Sequence, residues 1–212
     1  MIKKFSKKNI NKIASSSKSL EHFSRSYVDY LNKLLLSIDF HRLNKLSKIL
    51  LTARRNKSTI FVIGNGGSAA TASSMANDLG FDIIKKTRTD KPFKFLSLTD
   101  NSPVLTAISN DTGYENVFLN QLKIHFKKGD IVIMISASGN SKNLLLAANW
   151  IKKKGGTIFS LLGFDGGRLK KISNDYLLIK SAKGDYGPVE DSHLIINHIL
   201  AHWFQKILIS KK

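Results

Sequence analysis

The chain has no cysteine. That excludes disulfides, thiolate zinc sites and a cysteine nucleophile, and it fits a reducing cytoplasm. Proline is scarce, at three residues, and no linker that would split a domain is visible. No apolar run approaches the ~18 residues of a membrane span. The opening Met1-Ile2-Lys3-Lys4-Phe5 is basic but lacks the apolar stretch of a secretory signal. Acidic residues are few: 15 Asp and Glu stand against 34 Lys and Arg, for a net charge of +19. What remains is 212 residues with an ordinary hydrophobic fraction of 42%, enough for one α/β domain with a sizeable core.

Residues 1–18 are rich in Lys, Asn and Ser and read as a loose basic tail, leaving 19–212 as a single domain. From Ser19 the apolar period is helical, with Phe23, Tyr27, Leu31, Leu34 and Leu35 on one face. A second amphipathic helix spans about 41–54, with Leu43, Leu46, Ile49 and Leu50 inward. Short β-branched runs then predict strands near 59–63, 94–98, 130–135, 157–162 and 175–180. Helical runs lie near 68–79, 102–110, 115–126, 141–154 and 189–209. Alternating strands and helices imply a parallel sheet in a three-layer α/β domain. Trp150 and Trp203 fall on helices and are expected to pack.

Two serine-rich glycine loops, about seventy residues apart, each follow a strand and open a helix. The first is Gly64-Asn65-Gly66-Gly67-Ser68; the second is Ser136-Ala137-Ser138-Gly139-Asn140-Ser141. Backbone N–H groups and hydroxyls at a helix start bind anions, phosphate above all. Gly64-x-Gly66-x-x-Ala69 also matches a dinucleotide fingerprint, with Asp100 as a late acidic partner. That match leaves the second loop unexplained. A Walker A pattern is absent, and tight turns alone account for the glycines but not for the hydroxyls. Residues 1–60 hold fourteen Lys and Arg against three Asp and Glu. With no aromatic-basic module beside it, this charge is read as solvated helix faces and attraction for an anionic sugar phosphate. No nucleic-acid or membrane partner is expected.

Together with Leu162-Gly163-Phe164-Asp165-Gly166-Gly167, the two loops resemble the sugar isomerase (SIS) domain. Asn110-Asp111-x-Gly113-Tyr114 and Val189-Glu190-Asp191-x-His193 narrow the resemblance to the phosphoheptose isomerase branch. That branch converts sedoheptulose 7-phosphate to D-glycero-D-manno-heptose 7-phosphate. The resemblance, over roughly residues 20–210, implies a five-stranded parallel sheet flanked by helices. It also implies a homotetramer with sites at subunit interfaces, in the cytoplasm. The branch includes a replication-initiator-associating protein, so a non-catalytic phosphosugar-binding or protein-interaction role is the alternative.

Aldose–ketose isomerisation passes through an enediol and needs a base at carbon, an acid for the oxygens and oxyanion stabilisation. The helix after the first loop offers Asp78, and the last helix offers Glu190, Asp191, His193, His198 and His202. On that helix Glu190 lies about 80° from His198, at 100° per residue, so both could face one cleft. By the resemblance, Asp78 is the base and His198 its partner acid. Ser68, Ser136, Ser138 and Ser141 hold the phosphate, and Asn65, Gly66, Ala137, Asp111 and Glu190 complete the substrate site. His193 and His202 are expected at the surface or an interface. Asp165 reads as a turn residue. Zinc in this family uses a histidine four residues before the carboxylate. Ser74 stands there, Asp78 is a methylene shorter than the usual Glu, and no basic residue follows it. If zinc binds it would use Asp78, Glu190 and His198, and weak binding or none is expected because serine is a poor zinc ligand.

Overall fold

The computed structural model describes residues 9–209. Helices α1 (Ile10–Ser16), α2 (Leu20–Leu36) and α3 (Phe40–Arg55) precede the sheet. Their N-caps are Asn9, Ser19 and Asp39, whose side chains accept from the Lys12, His22 and Arg42 N–H groups. The strands are β1 (Thr59–Gly64), β2 (Lys94–Ser97), β3 (Ile131–Ser136), β4 (Thr157–Gly163) and β5 (Asp175–Ile179). They pair in parallel in the order β2-β1-β3-β4-β5. Helix α4 (Gly67–Ala76) follows β1 and runs through a π-helical turn, Asn77–Phe81, into α5 (Asp82–Thr87). Beyond β2 come α6 (Ser102–Thr112), a 3-10 turn at Tyr114–Asn116 and α7 (Val117–His125). α8 (Lys142–Lys153), α9 (Leu169–Ile172) and α10 (Tyr186–Ile209) complete the chain.

Alternation along the strands divides the core into two layers. Ile60, Val62, Ile133, Phe159 and Leu177 face α3, α4 and α10. Phe61, Ile63, Val132, Met134 and Leu162 face α7 and α8. Both faces are covered, so β3 is buried along its whole length and is an unbroken apolar run from Ile131 to Ile135. The all-parallel sheet drives every strand in one direction and gathers its carboxyl ends, and the loops after them, along one edge.

Two expectations change here. Residues 9–18 are not a loose tail. α1 buries Ile13 in the core, and the Ile10 N–H donates to Asp185 Oδ1 at 3.2 Å. The same carboxylate accepts from the Tyr30 hydroxyl at 2.6 Å, tying α1, α2 and the start of α10 together. The remainder of the proposed tail, residues 1–8, lies outside the described residues. Trp150 packs beneath the second core layer as expected, but Trp203 is 45% exposed.

Candidate functional site

The first loop leaves β1 at Gly64. A Cβ there would meet the Ser68 backbone at 2.7 Å, so the turn closes only around glycine. Gly66 (φ 55°) turns the chain into α4 and offers no capping side chain. The second loop is held from within. Ser136 Oγ accepts from the Gly139 N–H at 3.0 Å, and Ser138 Oγ accepts from the Asn140 N–H at 3.3 Å. It is also held from behind by the turn after β4. Asn140 Oδ1 accepts from the Arg168 N–H, and the Gly139 carbonyl accepts from the Leu169 N–H, both at 3.0 Å. A Cβ on Gly139 would overlap the Gly166 carbonyl, and one on Gly167 would overlap the Ser138 carbonyl. Asp165 closes the turn by accepting from the Gly167 N–H at 3.0 Å, the turn role expected of it. Ser141 sits at the N-cap of α8 without a capping hydrogen bond.

Between the loops lies a cavity of about 160 Å³ lined by Asn65, Ser68, Ser136, Ala137, Ser138, Ser141 and Glu190. The structure thus brings seven of the sequence-predicted residues together. Gly66 shapes the loop without lining the cavity. Asp111, exposed on α6, accepts from the Asn110 side chain at 2.8 Å and does not line it either. Tyr114, from the same motif, instead donates to Asn65 Oδ1 at 2.8 Å. Asn143 exchanges hydrogen bonds with Asn65 at 2.9 and 3.1 Å, which locks the amide. Sequence reasoning missed Tyr186, which lines this cavity and a neighbouring one of about 300 Å³ that shares Ser138. A tyrosine at the start of a helix carries no signal of its own. Asp100, the candidate for a dinucleotide ribose, accepts from the Ser97 hydroxyl at 2.9 Å and the Thr99 hydroxyl at 3.1 Å.

α10 packs alongside α4, the π turn and α5. At the cavity end the Glu190 carboxylate lies directly over Gly67, where any Cβ would overlap it. Burial, and next the neighbouring Asp191, raise the Glu190 carboxyl above its usual range. Asp191 itself accepts from the Tyr27 hydroxyl and is turned toward α2. Two turns further along α10, His198 Nε2 lies 3.6 Å from Asp78 Oδ2. The His198 side chain is 54% exposed and that of Asp78 19%. The predicted acid–base pair is therefore adjacent. Glu190 is about 12 Å from His198 along the helix, at 1.5 Å per residue, so the two do not share one cleft within a chain. His202 is exposed, whereas His193 is fully buried rather than at the surface. It lies 3.3 Å from the Leu162 carbonyl, and burial pushes its imidazole down to about 4.

Within one chain the donor set does not fit the family's zinc. Among the described residues no group of three His, Cys, Asp or Glu converges. Ser74 supplies a neutral hydroxyl, and Asp78 Oδ2 already accepts from Asn197 Nδ2 at 2.6 Å. From one chain, a carboxylate and one imidazole are fewer strong ligands than a zinc site uses.

The geometry agrees with what the chain is similar to. Residues 26–163 match the SIS domain family model. The phosphoheptose isomerase of Sulfurimonas denitrificans is 39% identical over 168 residues, 78% of this chain and 83% of the relative. That of Nitratiruptor sp. is 36% identical over 184 residues, 85% and 95% of the two chains. The structure of phosphoheptose isomerase GmhA from Neisseria gonorrhoeae superposes with a TM-score of 0.72 at 25% identity, covering 92% of this chain and 98% of that one. From the paired serine loops, the parallel sheet that presents them and these likenesses, the chain belongs to the SIS domain family, in its phosphoheptose isomerase branch.

Proposed function

We propose that the protein is an aldose–ketose isomerase that converts sedoheptulose 7-phosphate to D-glycero-D-manno-heptose 7-phosphate. The observation that carries this reading is the cavity where Ser68, Ser136, Ser138 and Ser141 converge, in a chain whose relatives are named phosphoheptose isomerases. The serine hydroxyls and loop N–H groups hold the phosphate. Asp78 removes a proton from C1 of the ketose, while His198 protonates the C2 oxygen and collects the proton of the C1 hydroxyl. Asp78 then returns its proton to C2 of the enediol, so no proton is gained or lost. Glu190 and Asn65 orient the sugar hydroxyls. The absence of cysteine supports a reducing, cytoplasmic setting. Among the described residues, no helix is long and apolar enough to cross a membrane.

The cradle and the Asp78–His198 pair lie at opposite ends of the same helix pair. We infer that a homo-oligomer, a closed tetramer, sets the pair of one copy against the cradle of another. Half-exposed Ile199 (42%) and Trp203 (45%) lie one turn apart on one side of His198 on α10 and support a covered face there. The test is turnover of sedoheptulose 7-phosphate by the purified protein, with its mass in solution. Wild type should turn over as an oligomer, and Trp203→Glu should lose assembly and turnover together. Stabilisation by the sugar phosphate with no turnover would favour the non-catalytic alternative, for which the Ser74 departure speaks. Stabilisation by NAD or ATP alone would sink both.

A further inference from the structure

Asn197 is fully buried in mid-helix, among Ile196, Leu200 and Ala201, where an amide is costly unless hydrogen-bonded. Its side-chain N–H donates to the Asp78 carboxylate, at 2.6 Å, and its Oδ1 has no partner among the described residues. Flipping the amide would set Oδ1 against a carboxylate oxygen, so the N–H must face Asp78. Asn77 Nδ2 donates to the other carboxylate oxygen at 3.0 Å. Asp78 sits in the π turn, where the regular helical ladder is interrupted, and these two amides fix its plane. The Asn197 N–H and His198 Nε2 both approach Oδ2. A cation seated between Asp78 and His198 would therefore meet the positive end of the Asn197 amide dipole.

Resting on the isomerase reading, we propose that Asn197 is a positioning residue. Its amide takes the place of a metal on Asp78 and holds that carboxylate for proton transfer in a site that works without one. Ser74 and Asn197 are then two halves of one exchange. The first removes a ligand, and the second supplies a donor to the carboxylate the metal would have held.

The test combines kinetics with zinc titration of the full chain. Asn197→Leu keeps volume and removes the donor. It should lower kcat by about 10–100-fold, as loss of a partner to a catalytic group does, with KM within about 2-fold and the melting temperature unchanged or raised. Asn197→Gln should recover part of the loss. Asn197→Ser, too short to reach Asp78, repeats the measurement should leucine disturb folding. Zinc alone, titrated into chelator-stripped protein, should not bind wild type stoichiometrically and should bind Ser74→His/Asn197→Leu. Wild-type kcat in both Asn197→Leu and Asn197→Ser overturns the proposal. So does a wild type that binds one zinc per chain, or that loses activity to chelator and regains it with zinc. If wild type fails to turn over the heptose phosphate, the isomerase reading falls, and the zinc titration still decides what the amide does.

Discussion

Replacing Gly67 with alanine should separate stability from turnover. Gly67 is the first residue of α4 and has no positive φ, so the backbone accepts alanine. The new Cβ would lie 2.3 Å from Glu190 Oε2, against an ordinary contact of at least 3.4 Å, so the carboxylate must retreat by about 1.1 Å. Glycine to alanine at a helical position is worth up to ~1 kcal/mol. Forcing Glu190 off its rotamer costs about 0.5–1.5 kcal/mol. The two nearly cancel, and at about 2–4 °C per kcal/mol the melting temperature should move by only a few degrees. A displacement of about 1 Å at a group that orients substrate costs on the order of 100-fold in turnover. The assays are thermal unfolding and kcat/KM with sedoheptulose 7-phosphate. A variant with both values near wild type would show that Glu190 plays no part in the site. A fall in melting temperature of more than about 10 °C would mean that the loop collapses rather than that the carboxylate shifts.

Two further outcomes concern stability. Buried His193 is neutral in the fold, with its imidazole lowered to about 4 from 6.5. The unfolded chain takes up its proton first, so stability is present above about 6.5 and lost as pH falls toward 4. By urea unfolding, wild type should lose about 1.6 kcal/mol more than His193→Leu between pH 6.5 and 5, the slope rising toward ~1.4 kcal/mol per unit as the unfolded imidazole becomes protonated, and equal losses would refute the assignment. Deleting residues 1–18 removes Ile13 from the core and the Ile10 bond to Asp185. At roughly 2–3 kcal/mol the melting temperature should drop by about 5–10 °C, and an unchanged value would show that α1 contributes nothing.

The sheet and both serine loops were legible because each rests on a local signal. β-branched runs such as Ile131–Ile135 mark strands buried on both sides, and small hydroxyl residues after them mark anion turns. α1 was not legible: its seven residues bury only Ile13, too few for a periodic face. The helical run legible in the sequence stops at 79, before Gly80 and Asp82, whereas the chain continues through the π turn into α5 and packs against α10. The wheel placed Glu190 and His198 on neighbouring faces correctly but ignored rise along the axis, which separates them. His193 was misjudged because polarity gives no measure of burial. The pairing of Asn197 with Asp78 spans 119 residues, and no spacing within the sequence announces it.

None of the residues lining the serine cavity is Lys or Arg, although the chain carries a net charge of +19. Ser136 and Ser138 accept backbone N–H groups through their oxygens, which leaves the hydroxyl hydrogens free to point into the cavity. The cradle is thus a set of oriented dipoles, and dipoles fixed at short range are screened little by salt. The lysines on the outer helices act over longer distances and are subject to that screening. Ionic strength should therefore govern how quickly an anion arrives, while the geometry of the hydroxyls governs which anion stays.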